Sequence, residues 1–307
     1  MSACMKCGGR SYLLEARGPR AQARACACAS PCPRCDGSGY TLQVQSATFS
    51  ERVGPRRYEV MVPCSCRLLK QRVALYNAAD IPGLYAGVSL EGFSVSSPSQ
   101  PVAEGLGRAR EVATRFAFNY DKANPGRGFI LSGPVGTGKT HLLAAALGHL
   151  ALERGVGAQY VEISLLYATI RNGFQAGKSG GEIIQPLSEV PVLAIDELGK
   201  GRGSAFEQET LDELIARRYN AGRTTLFATN HPLEPERRTV RTGASATPPG
   251  YRATATATAG KDVELLRERV GERIYSRLCQ MCEFVELPPQ AQDYRRVISD
   301  RARASGR

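Results

Sequence analysis

The residues with the most evident chemistry are Gly133-Pro134-Val135-Gly136-Thr137-Gly138-Lys139-Thr140, which follow the apolar run Phe129-Ile130-Leu131 and precede a helical pattern at Leu142, Leu143, Ala146, Leu147 and Leu150. Strand, glycine loop and helix in that order make a phosphate cradle. Glycines let backbone N–H groups curl around phosphate oxygens, and the helix N-terminus adds partial positive charge. Lys139 is spaced to reach the β- and γ-phosphates, and the Thr140 hydroxyl to bind Mg²⁺. ATP with Mg²⁺ is the expected ligand. A plain glycine turn would need neither the flanking strand nor the helix.

A second motif supplies the acids. Val192-Leu193-Ala194-Ile195 is a buried-type strand ending in Asp196-Glu197, the pattern of a strand inside a parallel sheet. Asp196 is placed to hold the Mg²⁺ shell, and Glu197 to orient and deprotonate a water. Strand Thr224-Thr225-Leu226-Phe227-Ala228 closes with Thr229-Asn230, so Asn230 is a candidate sensor that positions the lytic water; the alternative is a turn asparagine before His231-Pro232. A helix expected from Asp262 to about Met281 carries an apolar stripe at Leu266, Val270, Ile274 and Leu278, with arginines at 269, 273 and 277 beside it. Neither Arg273 nor Arg277 has a carboxylate three or four positions away, so an external anion would lower their energy. Arg277 is the expected arginine finger toward a neighbouring subunit's γ-phosphate, with Arg273 in reserve, against the reading of an inter-element salt-bridge stripe.

Eight of the ten cysteines lie in the first 66 residues, as Cys4-x2-Cys7, Cys26-x-Cys28, Cys32-x2-Cys35 and Cys64-x-Cys66. This is one unit used twice: a knuckle, an excursion and a return. Four thiolates satisfy a tetrahedral Zn²⁺, so the simplest arrangement is Cys4, Cys7, Cys26 and Cys28 on one ion and Cys32, Cys35, Cys64 and Cys66 on a second, with an interleaved pairing as the alternative. The alternating runs Tyr40–Gln45 and Tyr58–Val62 read as a hairpin that carries Cys64 back towards Cys35, as in a zinc ribbon. Cys279 and Cys282 have no second pair and are expected as packed thiols.

The elements around these motifs define the organisation. With 307 residues, 42% of them hydrophobic, the chain can bury a sizeable core. No apolar stretch approaches the roughly 18 residues that cross a bilayer, and the sequence starts straight into cysteines, so a cytoplasmic protein without membrane contact is expected. A net charge of +11 favours an anionic partner such as nucleic acid. Residues 1–70 read as a small module that metal must stabilise, 71–105 as a linker and lead-in segment with a helix at Arg67–Tyr76, 106–296 as an ATPase domain and 297–307 as a basic tail. Within the domain, strands at 129–131, 159–163, 192–195, 224–228 and 284–287 alternate with helices, which predicts an α/β fold: a parallel sheet covered on both faces. Thr242–Gly260 is Ala/Thr-rich without apolar periodicity and reads as a mobile loop. In the helical stretch after Ser164, Arg171 and Lys178 could neutralise phosphates while Phe174 stacks on a base of single-stranded DNA; an ordinary amphipathic helix is the competing reading.

Taken together, these motifs resemble the DnaC/IstB-like branch of AAA+ ATPases, which includes bacterial helicase loaders and transposition helper ATPases. The resemblance rests on Ile81-Pro82-Gly83-Leu84-Tyr85 with Leu90-Glu91-Gly92-Phe93, on GPVGTGKTH, the Asp196-Glu197 strand, Ala228-Thr229-Asn230, the run from Gly271 to Leu278, and Asp293-Tyr294-Arg295-Arg296. It spans residues 80–296 and implies a P-loop AAA+ sheet. Carried over by motif, Lys139 and Thr140 bind nucleotide and Mg²⁺, Asp196 and Glu197 serve hydrolysis, Asn230 senses and Arg277 acts from the neighbour in an ATP-bound homo-oligomer. The implied partners are a replicative DNA helicase and single-stranded DNA. A transposition helper would share every ATPase residue; the cysteine module favours the loader because it offers a separate docking surface. A zinc-bearing chaperone or unfoldase, suggested by Cys32-x2-Cys35-x-Gly37-x-Gly39, lacks an aromatic-apolar-glycine pore loop. The doubled cysteine unit and the Thr242–Gly260 insertion depart from the family pattern.

Overall fold

The computed structural model describes residues 4–29, 31–32, 34–48, 55–177, 179–233 and 264–296. The loop expected at 242–260, Lys178 and the basic tail 297–307 lie outside the described residues. The chain opens with two antiparallel hairpins, β1 (Tyr12–Arg17) with β2 (Arg20–Ala25) and β3 (Tyr40–Thr48) with β4 (Pro55–Pro63), followed by helix α1 (Ser65–Ala78) and helix α2 (Gln100–Asn119). There follow β5 (Gly128–Ser132), α3 (Lys139–Leu152), β6 (Ala158–Glu162), α4 (Ile163–Gln175), α5 (Gly180–Glu189), β7 (Val192–Asp196), α6 (Ala205–Asn220), β8 (Thr224–Thr229), α7 (Leu266–Val270), α8 (Glu272–Met281) and β9 (Cys282–Glu286).

Strands β5 to β9 form one parallel sheet in the order β6-β7-β8-β5-β9. Their near-continuous apolar sequences reflect cover on both faces. Successive side chains alternate between two cores: Phe129, Leu131, Val192, Ala194, Leu226 and Ala228 pack with α1, α2 and α3, whereas Ile130, Leu193, Ile195 and Phe227 pack with α4 to α8. The carboxyl ends of β5, β7 and β8 therefore emerge together at one edge, where an open α/β sheet places its ligand. Arg218 of α6 is fully buried and ties three elements together. Its guanidinium donates to Thr225 Oγ1 at 2.9 Å, to Leu187 O at 2.7 Å and to Val190 O at 2.9 Å. Burial, with the Arg223 charge adding to it, pulls its pKa down to about 9.

Part of the cysteine-rich module packs against the larger fold: Tyr12, Ala21 and Ala23 of the first hairpin belong to the core shared with α1, α2 and α3. The Tyr12 hydroxyl donates to Glu153 Oε1 at 2.7 Å, the Ala23 amide to Asn77 Oδ1 at 2.7 Å and the Ala21 amide to Ile81 O at 2.7 Å. Within residues 71–105, Tyr76, Ala79, Ile81, Leu90, Phe93 and Val102 are all buried in that core. The last helical segment is two helices: Gly271, at φ +82°, ends α7 and starts α8 in a conformation that only glycine adopts without strain.

Candidate functional site: a triphosphate cavity and two cysteine clusters

The glycine loop lines a cavity of about 990 Å³ together with Asp196, Glu197, Thr229 and Asn230. Its opposite wall is apolar, built from Leu84, Tyr85, Val88 and Phe93 of the segment that precedes α2. Gly136 and Gly138 hold φ of +80° and +91°, and space forbids a side chain at either. A Cβ at Gly138 would lie 2.5 Å from the Phe93 ring, and one at Gly136 would lie 1.9 Å from Asp293 Oδ1. Lys139 is folded onto the loop, its Nζ donating to Gly133 O and Pro134 O at 2.7 Å each. Burial draws its pKa down to about 8, with Asp196 opposing and Arg295 adding to the shift.

Asp196 and Glu197 sit at the end of β7 in distinct settings. Asp196 is buried; its Oδ1 accepts from the Glu197 amide at 2.8 Å and its Oδ2 from Thr140 Oγ1 at 2.7 Å. A carboxylate and a hydroxyl converging beside a phosphate loop form an oxygen donor set of the kind Mg²⁺ takes. Glu197 is left-handed at φ +54°, which turns its side chain away from the strand direction, and its carboxylate forms an ion pair with Lys200. Lys200 also reaches Glu162 Oε1 at 3.1 Å, so one cation bridges two acids at the rim. Asn230 is exposed and lines the same cavity.

Arg273 and Arg277 lie outside the cavity lining, on α8 against α6. Their own helix does not neutralise them, and the inter-element salt bridge weighed as the alternative is present: Asp212 of α6 accepts from Arg277 at 2.6 Å and from Arg273 at 3.3 Å. No helical spacing between those positions could have revealed the pair, because it joins two elements 61 and 65 residues apart in sequence. Arg269 is instead a structural clamp whose Nε donates to Gly199 O at 2.6 Å, holding the loop after β7. Sequence reasoning also missed Arg295, which lines the cavity near Lys139. The neighbouring Tyr294 amide donates to Gly136 O at 3.0 Å, so the segment after β9 closes over the glycine loop. Its only sequence signal is the run Asp293-Tyr294-Arg295-Arg296.

Outside this cavity, the non-interleaved cysteine sets come together. In Cys4/Cys7/Cys26/Cys28 and in Cys32/Cys35/Cys64/Cys66, the sulfurs lie within 4.8 Å of one another, as a single tetrahedral ion requires. The Cys7 and Lys6 amides hold the Cys4 thiol down to about 7, toward the thiolate a metal needs. Each set closes a hairpin, β1–β2 in the first and β3–β4 in the second; the first hairpin had no sequence assignment. Phe174 is half-exposed and meets Phe206 edge-on at 6.1 Å, while Arg171 lies 3.7 Å from Glu207 Oε1. Of the cysteines on the last helix and strand, Cys282 is buried as expected but Cys279 is exposed, because α8 ends between them. Among the described residues, no helix is long and apolar enough to cross a membrane.

This sheet order, glycine loop and acidic strand form the arrangement of a P-loop site at the carboxyl edge of a parallel sheet. Residues 108–244 match the family model described as IstB-like ATP binding protein. The replicative helicase loader DnaC of Escherichia coli (strain K12) is 31% identical over 160 residues, 52% of this chain and 62% of that protein. DnaC of Buchnera aphidicola subsp. Baizongia pistaciae is 29% identical over 154 residues, 50% and 59% of the two chains. The chain thus spans about three-fifths of the length of these relatives. The crystal structure of the DnaC helicase loader superposes with a TM-score of 0.51 at 24% identity, over 67% of this chain and 99% of that one, which shows the shared fold. Residues 108–244 are thus similar to the IstB-like ATP binding family, and the matched stretch is similar to DnaC.

Proposed function

We propose that this protein is an ATP-hydrolysing helicase loader that works as a homo-oligomer on single-stranded DNA. The observation that carries the reading is the convergence of Lys139, Thr140, Asp196, Glu197 and Asn230 on one cavity at the carboxyl edge of the sheet. The phosphates of ATP lie along the loop amides from Gly133 to Gly138, and the base lies against Tyr85, Val88 and Phe93. Thr140 and Asp196 would hold Mg²⁺, which neutralises charge on the β- and γ-phosphates. Glu197 takes a proton from water once its carboxylate is free of Lys200, and Asn230 orients that water. Arg277 leaves Asp212 for the γ-phosphate of a neighbouring copy, so assembly and turnover are linked. Arg171, Lys178 and Phe174 contact DNA. The identity to DnaC sequences favours a replicative helicase over a transposase as the partner.

The two cysteine sets hold one Zn²⁺ each in this reading, and the fold makes their losses unequal. Thiol modification should release two equivalents of zinc from the full chain. In Cys32→Ser/Cys35→Ser one equivalent should go and β3–β4 should become protease-sensitive, with nucleotide binding retained. Cys4→Ser/Cys7→Ser should also lower the melting temperature of the ATPase region, because Tyr12, Ala21 and Ala23 pack in its core. Equal effects of the two pairs on melting, or no bound zinc, would contradict this.

The loader reading itself is tested by ATP turnover with and without single-stranded DNA and by capture of the host replicative helicase on the immobilised full chain. DNA-dependent turnover and ATP-dependent capture are expected. Turnover indifferent to DNA, with no helicase retained, would remove the loader and leave an ATPase of another purpose.

A further inference from the structure

The two oxygens of Asp196 have separate donors, and one of them is unexplained by the nucleotide chemistry. Oδ1 takes the Glu197 amide, and Oδ2 takes Thr140 Oγ1 at 2.7 Å. Oδ2 also accepts from the phenol of Tyr160 at 2.8 Å. Tyr160 comes from β6, the edge strand beside β7, where it stands opposite Ala194, two positions before Asp196. A carboxylate oxygen has two lone-pair directions, so Thr140 and Tyr160 together saturate Oδ2 and leave the group little rotational freedom. The tyrosine is itself anchored: its amide donates to Ala79 O at 2.8 Å and its ring packs against the core shared with α1 and α3.

We propose that Tyr160 is a positioning residue for the divalent cation: its phenol holds Asp196 in the rotamer that meets Thr140, so the Thr140–Asp196 pair is set before Mg²⁺ and triphosphate arrive. The inference rests on the nucleotide-binding reading above. With the Thr140 proton on Asp196 Oδ2, the hydroxyl's lone pairs would be available to a divalent cation, and Tyr160 keeps that acceptor in place. Partners of this outer kind typically change metal affinity 10- to 100-fold when removed. Nothing in the run Ala158–Glu162 marks the residue; only the pairing of β6 with β7 brings the phenol to the carboxylate.

The test uses the full chain and a fluorescent, non-hydrolysable ATP analogue titrated in EDTA and in graded Mg²⁺, with Mn²⁺ binding followed by electron paramagnetic resonance. For Tyr160→Phe, affinity in EDTA should stay within about twofold of wild type, while the divalent concentration that half-saturates the enhancement rises about tenfold or more. In an Asp196→Asn background the same change should add nothing. An unchanged divalent dependence, or a full additional effect in that background, overturns the proposal. So does loss of EDTA affinity in Tyr160→Phe, since the phenol would then hold the fold and not the carboxylate. Wild-type protein that binds no analogue in either buffer would instead defeat the nucleotide-binding reading itself.

Discussion

Lys139→Ala is expected to lose nucleotide affinity by at least about 100-fold, because charge-assisted hydrogen bonds to phosphate contribute about 1.5–3 kcal/mol each and this ammonium would make more than one. The apo protein should tolerate the change. The lysine's partners in the free loop are Gly133 O and Pro134 O, and its contacts lie at the cavity wall, outside the sheet core. A second consequence concerns pH. The buried ammonium titrates near 8 in the free protein, whereas a bound triphosphate favours the charged form. Below pH 8 the lysine is already protonated and affinity is flat in this respect. Above pH 8 binding must take up a proton, and affinity should fall by up to tenfold per unit. Isothermal titration of ATP between pH 7 and 9.5, with melting curves of both proteins, checks each part. A Lys139→Ala protein that melts like wild type and binds ATP normally would refute the loop assignment.

Arg277→Ala should bind nucleotide as the wild type does yet lose turnover by about 10³-fold, the scale of an arginine finger. The reason for separating the two readouts is geometric. Arg277 lies outside the cavity lining of its own chain and is held by Asp212 at 2.6 Å, so the proposed function assigns it to the γ-phosphate of a neighbour. Mixing makes the point directly. Lys139→Ala cannot hold ATP but presents Arg277, whereas Arg277→Ala holds ATP and lacks the finger. Two inactive proteins should therefore recover part of the turnover when combined, which a role within one chain would not allow. Normal turnover by assembled Arg277→Ala would refute the assignment and leave the Asp212 pair as a plain inter-helix ion pair. Arg273, more exposed and 3.3 Å from the same carboxylate, would then be the next candidate.

The contrast between these two arginines and the glycine loop shows what sequence can carry. The phosphate loop, the acidic strand and the five sheet strands were legible because each is local: a glycine spacing, a run of branched apolar residues, a turn of helix. The cysteine sets were legible for a related reason, since a knuckle and its return repeat at recognisable spacings. The partners were not legible. Asp212 pairs with Arg277 across α6 and α8, Lys200 bridges Glu162 and Glu197 across two strand ends, and Tyr160 meets Asp196 across a parallel pair. Each depends on register between elements, which no single-segment pattern encodes. The packing of the first hairpin was hidden for the same reason: Gly, Pro, Arg and Cys dominate the composition there, yet Tyr12, Ala21 and Ala23 are buried in the core.

Sequence alone determined that this protein has a glycine loop of phosphate-cradle pattern, an acidic strand to face it, a parallel sheet beneath both and two four-cysteine sets. Those properties follow from residue type and spacing along a single strand, turn or helix. Tertiary structure decided which groups restrain the candidate site residues: Lys200 on Glu197, Tyr160 on Asp196, Asp212 on Arg277 and Arg295 beside Lys139. Such restraints are set by distances of about 3 Å between elements far apart in the chain, and a distance of that kind exists only once the sheet has chosen its strand order and register.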